Sequence, residues 1–146
     1  MKALTITNEI VIDATPERVW KFVGSGEGLS QWFGSDVSIE PQVGGQYVEN
    51  ATHGGTDYVL RGTVQVYDPP NQLELSCRIE EPSMWAEYTT IRVTLLAEGD
   101  STRVTLIHTG FEKLPDDLSQ RTYQGFTQGW DGVFDRLVLA MTKEIA

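Results

Sequence analysis

Cysteine is almost missing from this chain. Cys77 stands alone, so no internal disulfide can form, and with only His53 and His108 as histidines no metal-ligand spacing can be assembled. Long apolar runs are lacking as well. No window approaches the ~20 residues that a membrane span needs. The N-terminal Met1-Lys2-Ala3-Leu4-Thr5 has neither the basic nor the apolar segment of a secretion signal. These absences point to a cytoplasmic protein in a reducing compartment, with no membrane insertion. Positive charge is scarce too. Eleven Lys and Arg face 21 Asp and Glu, a net charge of −10. A field of that sign repels phosphate backbones and argues against a nucleic-acid partner. No repeat, linker or low-complexity stretch divides the 146 residues, and 40% hydrophobic content suffices for a core, so residues 1–146 read as one domain. No cofactor is called for. Monomer and homodimer both stand open.

What is present is periodicity, and it changes along the chain. Ile6, Asn8, Ile10 and Ile12 alternate with Thr7, Glu9 and Val11, the pattern of a half-buried strand. Thr15-Pro16-Glu17 then reads as a helix start, with Thr15 as N-cap, Pro16 at the first helical position and Glu17 facing the dipole. Gly24 and Gly26 end that helix, and a second short one runs from about Glu27 to Phe33. Gly24-Ser25-Gly26-Glu27-Gly28 is no phosphate loop: it lacks a lysine, follows a helix and carries an acid.

From Val37 the period turns to two. Val37–Ile39, a strand opened by Gly44-Gly45, and Tyr58–Tyr67 with Leu60, Gly62, Val64 and Val66 in phase come first. Asp68-Pro69-Pro70-Asn71 is a turn. Leu73, Leu75, Cys77 and Ile79 mark the next strand, and Thr89, Ile91, Val93 and Leu95 another. After a hairpin at Glu98-Gly99-Asp100-Ser101, Val104, Leu106 and His108 share one face. Past Pro115 the period becomes helical, and Tyr123, Phe126, Trp130, Phe134, Leu137 and Met141 form one stripe, read as a single rod. Strands joined by tight turns are antiparallel, so the class is α+β.

Five stretches, in order, make the chain look familiar: Ile10 to Trp20, Trp32-Phe33, Val43 to Tyr47, Gly62 to Leu73, and Gly129 to Leu137. Together they resemble the START/SRPBCC superfamily, in the branch similar to the activator of the ninety-kilodalton heat-shock-protein ATPase. The resemblance implies a helix-grip (birch-pollen-allergen-like) fold: a curved antiparallel sheet of about six or seven strands wrapped around a long C-terminal helix, with two short helices after the first strand. It implies a cavity for a small hydrophobic ligand. It also implies alternatives, because relatives include co-chaperone modules of the stress response, with a chaperone ATPase as partner, and polyketide cyclase/dehydratase enzymes. A proline that often follows the Trp32-Phe33 position is replaced here by Gly34.

The residues themselves nominate the lining. Trp32, Phe33, Tyr47, Val64, Trp85, Phe111, Tyr123, Phe126, Trp130 and Phe134 fall on or near faces read as inward. Trp130 and Phe134 also read as core. Trp32, Tyr47, Trp85 and Tyr123, near element ends, read equally as lining or filling. His108 is either a candidate acid/base, with Tyr47 or Glu49, or a core histidine. Glu49 is either a pocket carboxylate partnered by Arg61 or Arg92, or a solvated edge residue. Asn8 is either an orienting polar group or a surface residue. Gly125, Gly129 and Gly132 each cost roughly 1 kcal/mol in a helix, which close approach to the sheet or a gating hinge would offset. The leading reading is a binder of a small hydrophobic or aromatic molecule, with no assured catalysis.

Overall fold

The structure is a computed structural model that describes residues 4–145, with side chains described through Lys143. Met1-Lys2-Ala3, on which much of the leader reading rests, lies outside the described residues. Strand β1 (Ile6–Ile12) is followed by α1 (Pro16–Trp20), α2 (Gly26–Phe33), β2 (Asp36–Ile39), β3 (Gln46–His53), β4 (Thr56–Asp68), β5 (Gln72–Glu81), β6 (Thr89–Glu98) and β7 (Ser101–Thr109). A 3-10 turn (Phe111–Lys113), α3 (Asp116–Trp130) and α4 (Val133–Ile145) complete the chain. The strands form one seven-stranded sheet in the order β1-β7-β6-β5-β4-β3-β2, with every neighbouring pair antiparallel. This is the helix-grip fold, a curved sheet against a long C-terminal helical stretch. Among the described residues no helix is long and apolar enough to cross a membrane.

Local chemistry explains the elements. Thr15 caps α1, its Oγ1 accepting from the Arg18 amide at 3.3 Å, with Pro16 next in the chain. Ser25 caps α2 in the same way, accepting from the Gly28 amide at 3.0 Å. Gly26 therefore opens the second helix, whereas the sequence pattern had placed it at the end of the first. Close packing is the reason. A Cβ on Gly26 would lie 2.6 Å from the Val37 carbonyl oxygen, and one on Gly28 2.6 Å from the Phe22 Cα. The glycine-rich stretch lets α2 press on β2 and on the end of α1.

Along β5, Leu73, Leu75 and Cys77 are buried and pair across to Val93, Ile91 and Thr89. Against β4 the register shifts twice, at Val59/Leu60 and at Val64/Val66. Such irregularities sharpen twist and re-aim side chains. Val66 accordingly falls out of the phase that the sequence assigned it. It is only half-buried, while Tyr67 donates its hydroxyl to the Gly24 carbonyl at 2.8 Å.

The C-terminal stretch is helical from Asp116 to Ile145 apart from a break at residues 131–132. The sequence pattern had carried one rod through this point. Gly132 adopts φ +75°, left-handed backbone that glycine reaches without strain, and it separates α3 from α4. Beyond it, Val133, Phe134, Leu137, Ala140 and Met141 are buried in the core.

Candidate functional site

Between α3 and the β3–β5 side of the sheet lies a cavity of about 670 Å³, within the roughly 300–1,000 Å³ usual for small-molecule sites. Its walls come from the α2–β2 loop (Gly34, Ser35), β3 (Glu49, Ala51, Thr52, His53), β4 (Tyr58, Leu60), Ile79 of β5 and the following loop (Pro82, Ser83, Trp85). The last wall is the face of α3 that carries Leu118, Arg121, Thr122, Gly125, Phe126, Gly129 and Trp130, with Arg136 of α4 beside it. Trp85 and Phe126 meet edge-on at 6.0 Å, and Phe33 meets Trp130 edge-on at 5.0 Å. These aromatics give the cavity flat apolar surfaces.

The glycines of α3 explain why this space stays open. A Cβ on Gly125 or Gly129 would meet nothing within 4 Å. Close approach to the sheet is thus not what offsets their helix cost. Both residues line the cavity, and their missing side chains are part of its volume.

The polar end of the cavity is built around Glu49. Register opposite Leu60 places it on the inner face of β3, where it is 8% exposed. The Ser35 hydroxyl donates to Oε2 at 2.5 Å, and the Tyr47 hydroxyl donates to Oε1. Neither arginine suggested by the sequence reaches it. Arg61 pairs with Glu80 at 3.0 Å, and Arg92 pairs with Glu74 at 2.9 Å. Burial raises the pKa of Glu49 despite the two hydroxyl donors, which favour the charged form. Tyr47 is itself fully buried, and burial raises its pKa well above the usual value.

His108 has another task. The Trp130 indole N–H can only donate, and it bonds Nδ1 of His108 at 3.0 Å. Nε2 of the neutral ring therefore carries the hydrogen and donates to Thr89 Oγ1 at 2.8 Å, and that hydroxyl donates to the Cys77 carbonyl at 3.0 Å. The chain of bonds ties the end of α3 to β7, β6 and β5. Burial lowers the pKa of His108 to about 3, so the ring stays neutral at physiological pH. Both ring nitrogens are occupied and His108 is not on the cavity wall, so the structure corrects its candidacy as an acid/base group.

Of the twelve candidates from sequence, Phe33, Glu49, Trp85, Phe126 and Trp130 stand on the wall. The others do not. Trp32 is buried behind it, donating its indole N–H to the Phe22 carbonyl at 2.7 Å and stacking on Phe134 at 6.0 Å. Tyr47, Val64 and Phe111 are core residues with no more than 1% exposure, and Phe134 is buried as well. Tyr123 lies on a neighbouring face of α3, its hydroxyl on the Thr5 carbonyl at 3.3 Å, beside a second, smaller hollow that Asn8 also lines. Residues that sequence reasoning did not nominate include Ser35, Leu60, Ile79, Arg121 and Arg136. A helix begun at Asp116 would have exposed the recurring stripe Leu118, Arg121, Thr122, Gly125, Phe126 and Gly129. Among the described residues no His/Cys/Asp/Glu group could hold a metal ion.

Curved sheet, helical grip and the open-mouthed space between them together define the class of helix-grip proteins. The family model described as Activator of Hsp90 ATPase homolog 1-like protein matches residues 13–142, and the chain belongs to that family. Solved structures of the same fold include protein MLL2253 from Mesorhizobium loti, 22% identical, covering 95% of this chain and 97% of its own, with a TM-score of 0.78. Protein Ms6760 from Mycobacterium smegmatis is 15% identical, covering 96% and 95%, with a TM-score of 0.77. CalU16 from Micromonospora echinospora is 22% identical, covering 98% of this chain and 79% of its own, with a TM-score of 0.70. At such identities the likeness shows the fold alone. A search of curated proteins finds no match.

Proposed function

We propose that this protein binds a small, largely apolar molecule with a flat aromatic body in the space between α3 and the sheet. One observation carries the reading: two glycines of α3 face a cavity of about 670 Å³ with nothing within 4 Å of where their side chains would start. A helix that needed only to pack would gain roughly 1 kcal/mol from alanine at each position. Keeping them empty preserves room for a guest between Phe33, Trp85, Phe126 and Trp130. Titration calorimetry with 2-naphthamide, a neutral two-ring probe, is expected to give saturable one-to-one binding. Gly125→Leu, which puts a side chain into the space without harming helix propensity, is expected to abolish it. Absence of heat with every naphthalene probe, together with an unliganded mass for freshly purified protein, overturns the reading.

The family description favours a second reading, contact with a chaperone ATPase. Exposed apolar side chains on α4, Val138 and Leu139 at 39% and 55%, are where such contact would be sought. Retention of a purified chaperone ATPase on immobilised protein, lost in Leu139→Glu, is its test.

A further inference from the structure

We infer that the guest carries an anionic group, a carboxylate or its like, and that Arg136 receives it. This deepens the binding reading and rests on it. The argument begins with the company that the arginines keep. In a chain with 21 acids and 11 bases, an arginine has little difficulty finding a carboxylate. Arg61, Arg78, Arg92 and Arg103, all on the sheet, each reach a glutamate within 3.4 Å. Arg136 and Arg121, both on the cavity wall, make no ion pair among the described residues, and neither does Arg18 of α1, away from the cavity.

Arg136 is also held in place. Its Nε donates to the Trp32 carbonyl at 2.9 Å, which fixes the guanidinium plane and leaves the two terminal nitrogens for other acceptors. The group lies 3.6 Å from where a Cβ on Gly34 would stand, so the glycine in the α2–β2 loop leaves the guanidinium uncovered. It is half-buried, and a cation partly withdrawn from water gains more from a counter-ion than an exposed one does. The next residue, Ser35, donates to Glu49, so Arg136 and Glu49 meet the same two-residue stretch. Burial disfavours the charged form of Glu49. A carboxyl whose ionisation is disfavoured opposes an incoming anion less than a freely ionised one would. The cavity therefore has a polar end at Gly34-Ser35, Glu49 and Arg136, and an aromatic body.

Two probes that differ by one charge test this. At neutral pH 2-naphthoate is anionic and 2-naphthamide neutral, on the same rings. The wild-type protein is expected to bind 2-naphthoate roughly tenfold more tightly, as a desolvated charge pair would give. That preference, read as the ratio of the two affinities, should vanish in Arg136→Gln and persist in Arg136→Lys. It should also shrink in wild type as salt is raised to about 0.5 M, a measurement that needs no variant. Equal affinity of the two probes, or a preference that survives Arg136→Gln in protein of unchanged melting temperature, overturns the inference and leaves the binding reading standing. Failure of both probes to bind, together with an unliganded mass for freshly purified protein, removes the binding reading instead.

Discussion

α3 and α4 follow one another with only residues 131–132 between them, and they are built in opposite ways. α4 sends Val133, Phe134, Leu137, Ala140 and Met141 into the core, and its Arg136 is anchored on the Trp32 carbonyl. α3 buries only Ser119 and Trp130 among its fifteen residues, carries Gly125 and Gly129, and stands over a void. One helix holds the fold together and the other covers the cavity. Local stability follows buried apolar contact, so the two need not open together. α3 is tied at its far end, where Trp130 is bonded to His108 and through Thr89 to Cys77, and midway, where Tyr123 bonds the Thr5 carbonyl.

Four measurements would break or sharpen that contrast. The largest effect is expected in α4. Leu137 is fully buried, and Leu137→Ala should cost about 2–5 kcal/mol in urea unfolding. A loss below about 0.5 kcal/mol, the range of surface substitutions, would remove α4 from the core.

The His108 anchor comes next. Its pKa in the fold, about 3, lies below the 6.5 of an exposed histidine. The unfolded chain therefore takes up the proton first, and stability falls as pH drops from 6.5 toward 3, by ~1 kcal/mol per pH unit at the steepest. Glu49 works the other way: with its folded pKa raised from 4.5, its contribution is lost as pH rises above that value. Comparing the pH slope of wild type with that of His108→Gln isolates the histidine. Ring resonances should show the Nε2–H tautomer and no titration between about pH 5 and about pH 7. A midpoint near that of free histidine would dissolve the anchor.

A smaller effect, of opposite sign, is expected in α3. Gly125→Ala meets open space and should stabilise the protein by up to about 1 kcal/mol. It should slow amide exchange in residues 116–130 while leaving residues 133–143 as they were. Uniform exchange protection across both helices in the wild-type protein would erase the distinction. Smallest in stability, Glu49→Gln keeps the neutral form of the side chain and should tighten 2-naphthoate binding at pH 8 relative to wild type. Weaker binding would mean that the guest needs the charge of Glu49.

The fold was legible because its signals are local and repeated. Alternation at Leu73, Leu75 and Cys77, the cap at Thr15-Pro16 and the hairpin at Gly99-Asp100 each specify an element without reference to the rest of the chain. The cavity was only partly legible. Period put Phe126 on the apolar stripe and Glu49 in phase with Tyr47, but it left Glu49 open between the pocket and a solvated edge. It does not tell whether a buried aromatic meets a neighbour or a space, which is why Trp32 and Phe111 looked the same as Phe33 and Trp85. His108 was placed inward for the right reason, but its two partners lie 19 and 22 residues away, on β6 and α3, and period does not say that they meet the ring. Gly125 and Gly129 were noticed as anomalies, and their meaning depended on what was missing around them.

Those two glycines have a consequence for how such a chamber changes over time. Alanine is a single nucleotide away from glycine, and at neither position would the added methyl group meet anything within 4 Å beyond its chain neighbours and the backbone of its own helix. The volume and outline offered to a guest can drift by small steps while the sheet and α4 stay as they are. On the proposed binding reading, what the space admits is adjustable without touching the core that folds the chain.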